Sequence, residues 1–83
     1  MITNVELNES GTAKFNAFFE RHAKPGTNMQ AVCFELLEKL LDRAAMGEAL
    51  HYELHRQHTN SGNPELLFLD ASDIIVTEEA DEE

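Results

Sequence analysis

Eighty-three residues with 6 Lys or Arg against 16 Asp or Glu give a formal charge of −10 at pH 7, on a chain long enough for one domain with a modest core. No apolar run approaches the roughly 18 to 20 residues of a membrane span, and the N-terminus has neither a basic region nor a signal-type apolar stretch, so a soluble, cytoplasmic protein with no membrane partner is expected. The single cysteine excludes an intrachain disulfide and a cysteine zinc site, and 42% hydrophobic residues exclude a chain disordered throughout.

The charge is unevenly spread. Residues 1–47 hold five Lys or Arg against six Asp or Glu, net −1, whereas residues 48–83 hold Arg56 alone against ten acids, net −9. A nearly neutral half can approach a polyanion; an acidic half is repelled by nucleic acid and drawn to a basic protein surface. The expected organisation is a module over 1–47 and an acidic partner-binding segment over 48–83, ending in a frayed tail at 77–83 (TEEADEE).

In chain order, Ile2 to Asn8 alternates, with Val5 and Leu7 on one face and Asn4, Glu6 and Asn8 on the other, which predicts a half-buried strand. An isolated strand is unstable, so this one needs a mate, either a C-terminal strand or its copy in a second chain. A first helix is expected from about Ser10 to Ala23, capped by Asn8 or Ser10, with Phe15, Phe18, Phe19 and His22 on one face. Pro25-Gly26 stops it, and Thr27 or Asn28 starts a second helix.

That second helix carries the strongest periodicity in the chain: Met29, Val32, Cys33, Leu36, Leu37, Leu40, Leu41 and Ala44. Cys33 reads as core. Phe34, opposite the stripe, suggests a helix covered from more than one direction. Gly47 can end or bend the helix, but Met46, Leu50 and Leu54 continue a four-residue repeat, so helix is expected to resume to about His58. TNSGNP at 59–64 is loop, and Leu66–Leu69 and Ile74–Val76 are strands or docking segments.

Residues 2–45 resemble the ribbon-helix-helix family: an alternating strand, a helix, a glycine-containing turn and a helix with a small polar cap. Apolar residues fall six, seven, ten, eleven, fourteen and fifteen positions after Gly26, at Val32, Cys33, Leu36, Leu37, Leu40 and Leu41. The resemblance implies a mainly α fold with a short N-terminal strand, a ribbon-helix-helix-like homodimer, and a short extended or β C-terminal segment. It also implies groove-facing residues Asn4, Glu6 and Asn8 for operator DNA, with Gly26, Thr27 and Asn28 presenting backbone donors to a phosphate. Family ribbons usually place Lys or Arg among the groove-facing residues, and this one has none.

The functional expectation is an acidic, dimeric regulatory protein of antitoxin or small-repressor type. Leu66, Leu67, Phe68, Ile74 and Ile75 would enter apolar grooves of a basic protein partner, and Asp70 and Asp73 would pair with its cations. The rivals are an inhibitor whose acidic surface mimics nucleic acid, and a plain α+β adaptor in which Ile2–Leu7 pairs with Leu66–Leu69 of its own chain. His51, His55 and His58 would share a face if the helix continued, but a solvated polar face is the plainer reading, so no metal and no cofactor is expected. No nucleophile with a neighbouring base and no phosphate-cradling loop is found, and no enzymatic activity is expected.

Overall fold

The computed structural model describes residues 1–79. The alternation at the N-terminus forms β1 (Ile2–Leu7), with Val5 buried and Asn4 and Glu6 exposed. Its backbone partner lies at the other end of the same chain. β4 (Ile74–Glu78) runs antiparallel to β1, matching Leu7 with Ile74, Glu6 with Ile75 and Val5 with Val76, and a register shift between Ile2 and Asn4 brings Ile2 opposite Glu78. The pair is closed by Met1 and Glu79, whose backbone N–H and C=O groups bond reciprocally at 2.9 and 3.2 Å.

This pairing corrects the expected fold class. The molecule is α+β, with two α-helices and two separate two-stranded antiparallel sheets among the described residues, and it is not a mainly α chain whose only strand is N-terminal. The ribbon of two β1 strands is replaced by β1–β4, so the strand no longer requires a second chain to satisfy this edge. The two halves distinguished by charge also interleave, since β1 and β4 come from opposite sides of Gly47.

Helix α1 (Glu9–His22) is capped by Asn8, whose Oδ1 accepts from the Gly11 N–H at 2.9 Å, and Glu9 in the first turn suits the helix dipole. Phe15 and Phe18 face inwards. Gly26, at φ +91°, makes the turn into α2 (Met29–Ala45), which Asn28 caps by accepting from Ala31 N–H at 3.1 Å.

Gly47 ends α2 instead of bending it. At φ +71° its N–H bonds to the Ala44 carbonyl and the next N–H, of Glu48, reaches back to Arg43, the reciprocal pattern of a Schellman stop. The helix expected to resume to His58 is therefore absent. In its place come β2 (His51–Leu54), a short 3-10 turn over Arg56–His58, and β3 (Glu65–Phe68), which pairs antiparallel with β2. Leu66–Leu69 thus finds a mate, but it is β2 and not the N-terminal strand.

The main core lies between α2 and the β2–β3 hairpin, where Leu36, Leu40, Tyr52 and Leu54 are at most 1% exposed. Tyr52 keeps its hydroxyl satisfied by donating to Glu35 Oε1 at 2.5 Å, and burial is the largest cause pushing its pKa upward. Val5, Phe15 and Phe18 extend the core towards β1 and α1. No helix among the described residues is long and apolar enough to cross a membrane.

Candidate functional site

Helix α2 carries its apolar residues in adjacent pairs, 32/33, 36/37 and 40/41. Neighbours on a helix point ~100° apart, so each pair serves two directions. The first members, Val32, Leu36 and Leu40, are buried in the core; the second, Cys33, Leu37 and Leu41, are half-buried and line an open groove. The groove has a volume of about 720 Å³. Its far wall is β1 from Asn4 to Leu7, and no residue of β4 lines it, so it runs along the edge of β1 that β4 leaves unpaired. Thr12, Phe15 and Asn16 of α1 also line it.

Two features give the groove its chemistry. Phe34 stands at its margin 75% exposed, a large aromatic surface in water with no cover from the described chain. Among the described residues the only charged ones lining it are Glu6 and Glu38, together with the amides Asn4, Asn16 and Gln30, and none is Lys or Arg. Asn4 Nδ2 donates to Glu6 Oε2 at 3.0 Å, which steadies the carboxylate on the outer face of β1. Burial raises the Cys33 thiol pKa, which favours the neutral thiol on the groove wall.

A polar latch holds the neighbouring segment in place. Asp73 is 2% exposed and accepts from the Asp70 backbone N–H at 2.8 Å, from Lys14 Nζ at 2.7 Å and from the Ser10 hydroxyl. The Asp70 N–H first, then Lys14 and Ser10, hold its carboxyl down at about 2. Gly11 completes the fit: a Cβ there would lie 2.1 Å from the Asp73 backbone oxygen. The latch ties the Ala71–Asp73 turn to the start of α1 and so delivers β4 to β1.

Most expected site residues have other work. Asn8, expected to face a DNA groove, caps α1 and donates through Nδ2 to the Ser72 carbonyl at 2.6 Å. Asn4 and Glu6 do remain exposed beside the groove. Gly26, Thr27 and Asn28 form the turn before α2, where Thr27 Oγ1 donates to the Lys24 carbonyl, and the shallow depression beside Thr27 and Asn28 contains the carboxylates of Glu35 and Glu38, which oppose a phosphate.

The expected partner-binding segment is built into strands. Leu67 is core, Asp73 is consumed by the latch, and Ile74 is half-buried, while Leu66, Phe68, Asp70 and Ile75 are exposed. Of the expected tail, Thr77 and Glu78 belong to β4, and residues 80–83 lie outside the described residues. His51 sits on β2, His55 caps the 3-10 turn and His58 is the last residue of that turn, so the three share no helical face; among the described residues no group of three His, Cys, Asp or Glu is placed to hold a metal ion.

Cys33, which reads as core in the sequence, lines the groove with Met29, Leu37 and Leu41, and the sequence does hold a signal for this. A helix stripe as wide as 32/33, 36/37 and 40/41, with Phe34 outside it, offers more apolar surface than one small sheet can cover. Compared with protein-family models, with curated proteins and with solved structures, the chain matches none.

Proposed function

We propose that the protein is an acidic regulatory protein that works by capturing a basic protein partner, as an antitoxin or a protein inhibitor does, and not by catalysis. One observation carries this reading: an open apolar groove whose only charged lining residues, among the described residues, are two carboxylates. Apolar surface of this extent, rimmed by polar residues, marks an interaction site, and a rim of one sign selects a partner of the other. The overall charge of −10 adds long-range attraction to a cationic surface. Operator DNA has weaker support, because Glu6 is the only charged residue among Asn4, Glu6, Ile75 and Thr77, which form the central outer face of β1–β4.

A second reading has an observation of its own. Glu35, Glu38 and Asp42 lie along one exposed side of α2 over about 10 Å, with Lys39 the one cation among them, a carboxylate every ~5 Å against ~3.4 Å per phosphate on one DNA strand. This row favours an inhibitor that occupies a basic, nucleic-acid-binding surface.

Copurification from the native host tests both. The groove reading expects a stoichiometric basic protein that Phe34→Ser releases, whereas the row reading expects release by Glu38→Gln with Asp42→Asn while Phe34→Ser is silent. Copurified nucleic acid, insensitive to both variants, would contradict the two together.

A further inference from the structure

We propose that the groove is a strand-addition site: an extended segment of a basic protein, alternating apolar with Lys or Arg residues, pairs with the free edge of β1 and lays its apolar side chains on α2. The inference rests on the reading of the groove as a partner site and specifies the occupant.

Two independent features meet there. The edge of β1 away from β4 has no neighbouring strand among the described residues, so its outward backbone N–H and C=O groups await partners. Alongside it, the apolar floor of Cys33, Leu37 and Leu41 offers side chains only. A bound helix would cover the floor but leave the β1 edge to water. An extended segment uses both, because its main chain completes β1 while alternate side chains cover the floor. The lengths agree: six strand residues span ~20 Å, and α2 from Met29 to Leu41 rises ~18 Å.

The rim defines the other alternate positions. Residues of the incoming strand on the outer face lie beside Asn4 and Glu6, where opposite charge across strands is favourable and like charge is not. Cationic residues therefore fit those positions. A second copy of this chain fits poorly, since it would add its own Glu6 and Glu38 to a groove that, among the described residues, is lined by no cation.

The test uses the full chain and three synthetic peptides: a heptapeptide alternating valine and lysine, the same peptide with glutamate for lysine, and an amphipathic leucine-lysine helix. Amide exchange and methyl shifts are followed by NMR. The valine-lysine peptide is expected to protect amides of β1 and shift the methyls of Leu37 and Leu41, with Kd rising about tenfold in Leu37→Gln. The Glu6→Lys variant, at an exposed position, is expected to invert the preference towards the glutamate peptide.

Binding with β1 amides unprotected, occupancy of the groove by the helical peptide alone, or self-association of the free protein across β1 would each overturn the proposal. If the strand peptide fails while a basic partner is still released by Phe34→Ser, only the occupant is wrong. If both fail, the partner-site reading falls with it.

Discussion

The two apolar stripes of α2 have nearly the same composition and opposite fates. Val32, Leu36 and Leu40 are buried between the helix and the β2–β3 hairpin; Cys33, Leu37 and Leu41 look across an open groove at the bare edge of β1. Hydrophobicity alone does not distinguish core from site. What separates them is that the short chain covers one stripe fully and the other only in part, spending its last described strand, β4, on the far side of β1.

Substitutions that move the two stripes independently sharpen this contrast. Leu36→Ala empties a fully enclosed position and is expected to cost about 2–5 kcal/mol, read as a lower urea midpoint. Leu37→Ala should cost well under half of that, and equal losses would mean that the groove is closed in solution. Gly11→Ala comes next. Alanine ordinarily gains up to ~1 kcal/mol over glycine within a helix, but the clash with the Asp73 backbone oxygen reverses the sign, for an expected net loss of about 1–3 kcal/mol.

Acid tests the latch that brings β4 to the closed edge of β1. Because the Asp73 carboxyl is held at about 2 against an ordinary 3.8, its contribution is complete above 3.8 and disappears as the pH falls towards 2. The stability gap between wild type and Asp73→Asn should therefore shrink across that window; a gap constant with pH would show that the charge has no part in it. Tyr52→Phe, which removes the bond to Glu35 on the closed side, should cost about 0.5–1.5 kcal/mol. The smallest effect on stability belongs to Phe34→Ser, within about 0.5 kcal/mol, although it should cost partner binding most plainly.

Much of the local structure was legible. Period two marked β1, phenylalanine spacing marked α1, and paired apolar positions marked α2, because each signal lies within a few residues of its cause. The region after Gly47 misled for a definable reason: Leu50 and Leu54 stand four apart, a spacing that suits a helical turn and also two steps of a strand. Tyr52, buried between them, fits only the strand. The helix stop was written in Gly47 itself.

The mate of β1 was harder to read. Both a second chain and a C-terminal strand satisfy an alternating hexapeptide, and choosing requires knowing that Asp73, some sixty residues away, fits beside Ser10, Gly11 and Lys14. No periodicity encodes that contact. The candidate site inherits the same difficulty. Asn4 and Glu6 lie on an exposed face, as the alternation implies, but Cys33, which reads as core, lines the groove, because coverage is decided by tertiary pairing and not by composition.

The account depends on β1 being completed on one edge by its own chain. Isotope-filtered NOE measurements on an equal mixture of labelled and unlabelled protein address this directly. Cross-strand contacts between Val5 and Val76 should appear only within labelled molecules, with none between copies. Contacts between labelled and unlabelled β1 strands, with Val5 and Val76 far apart, would contradict the account.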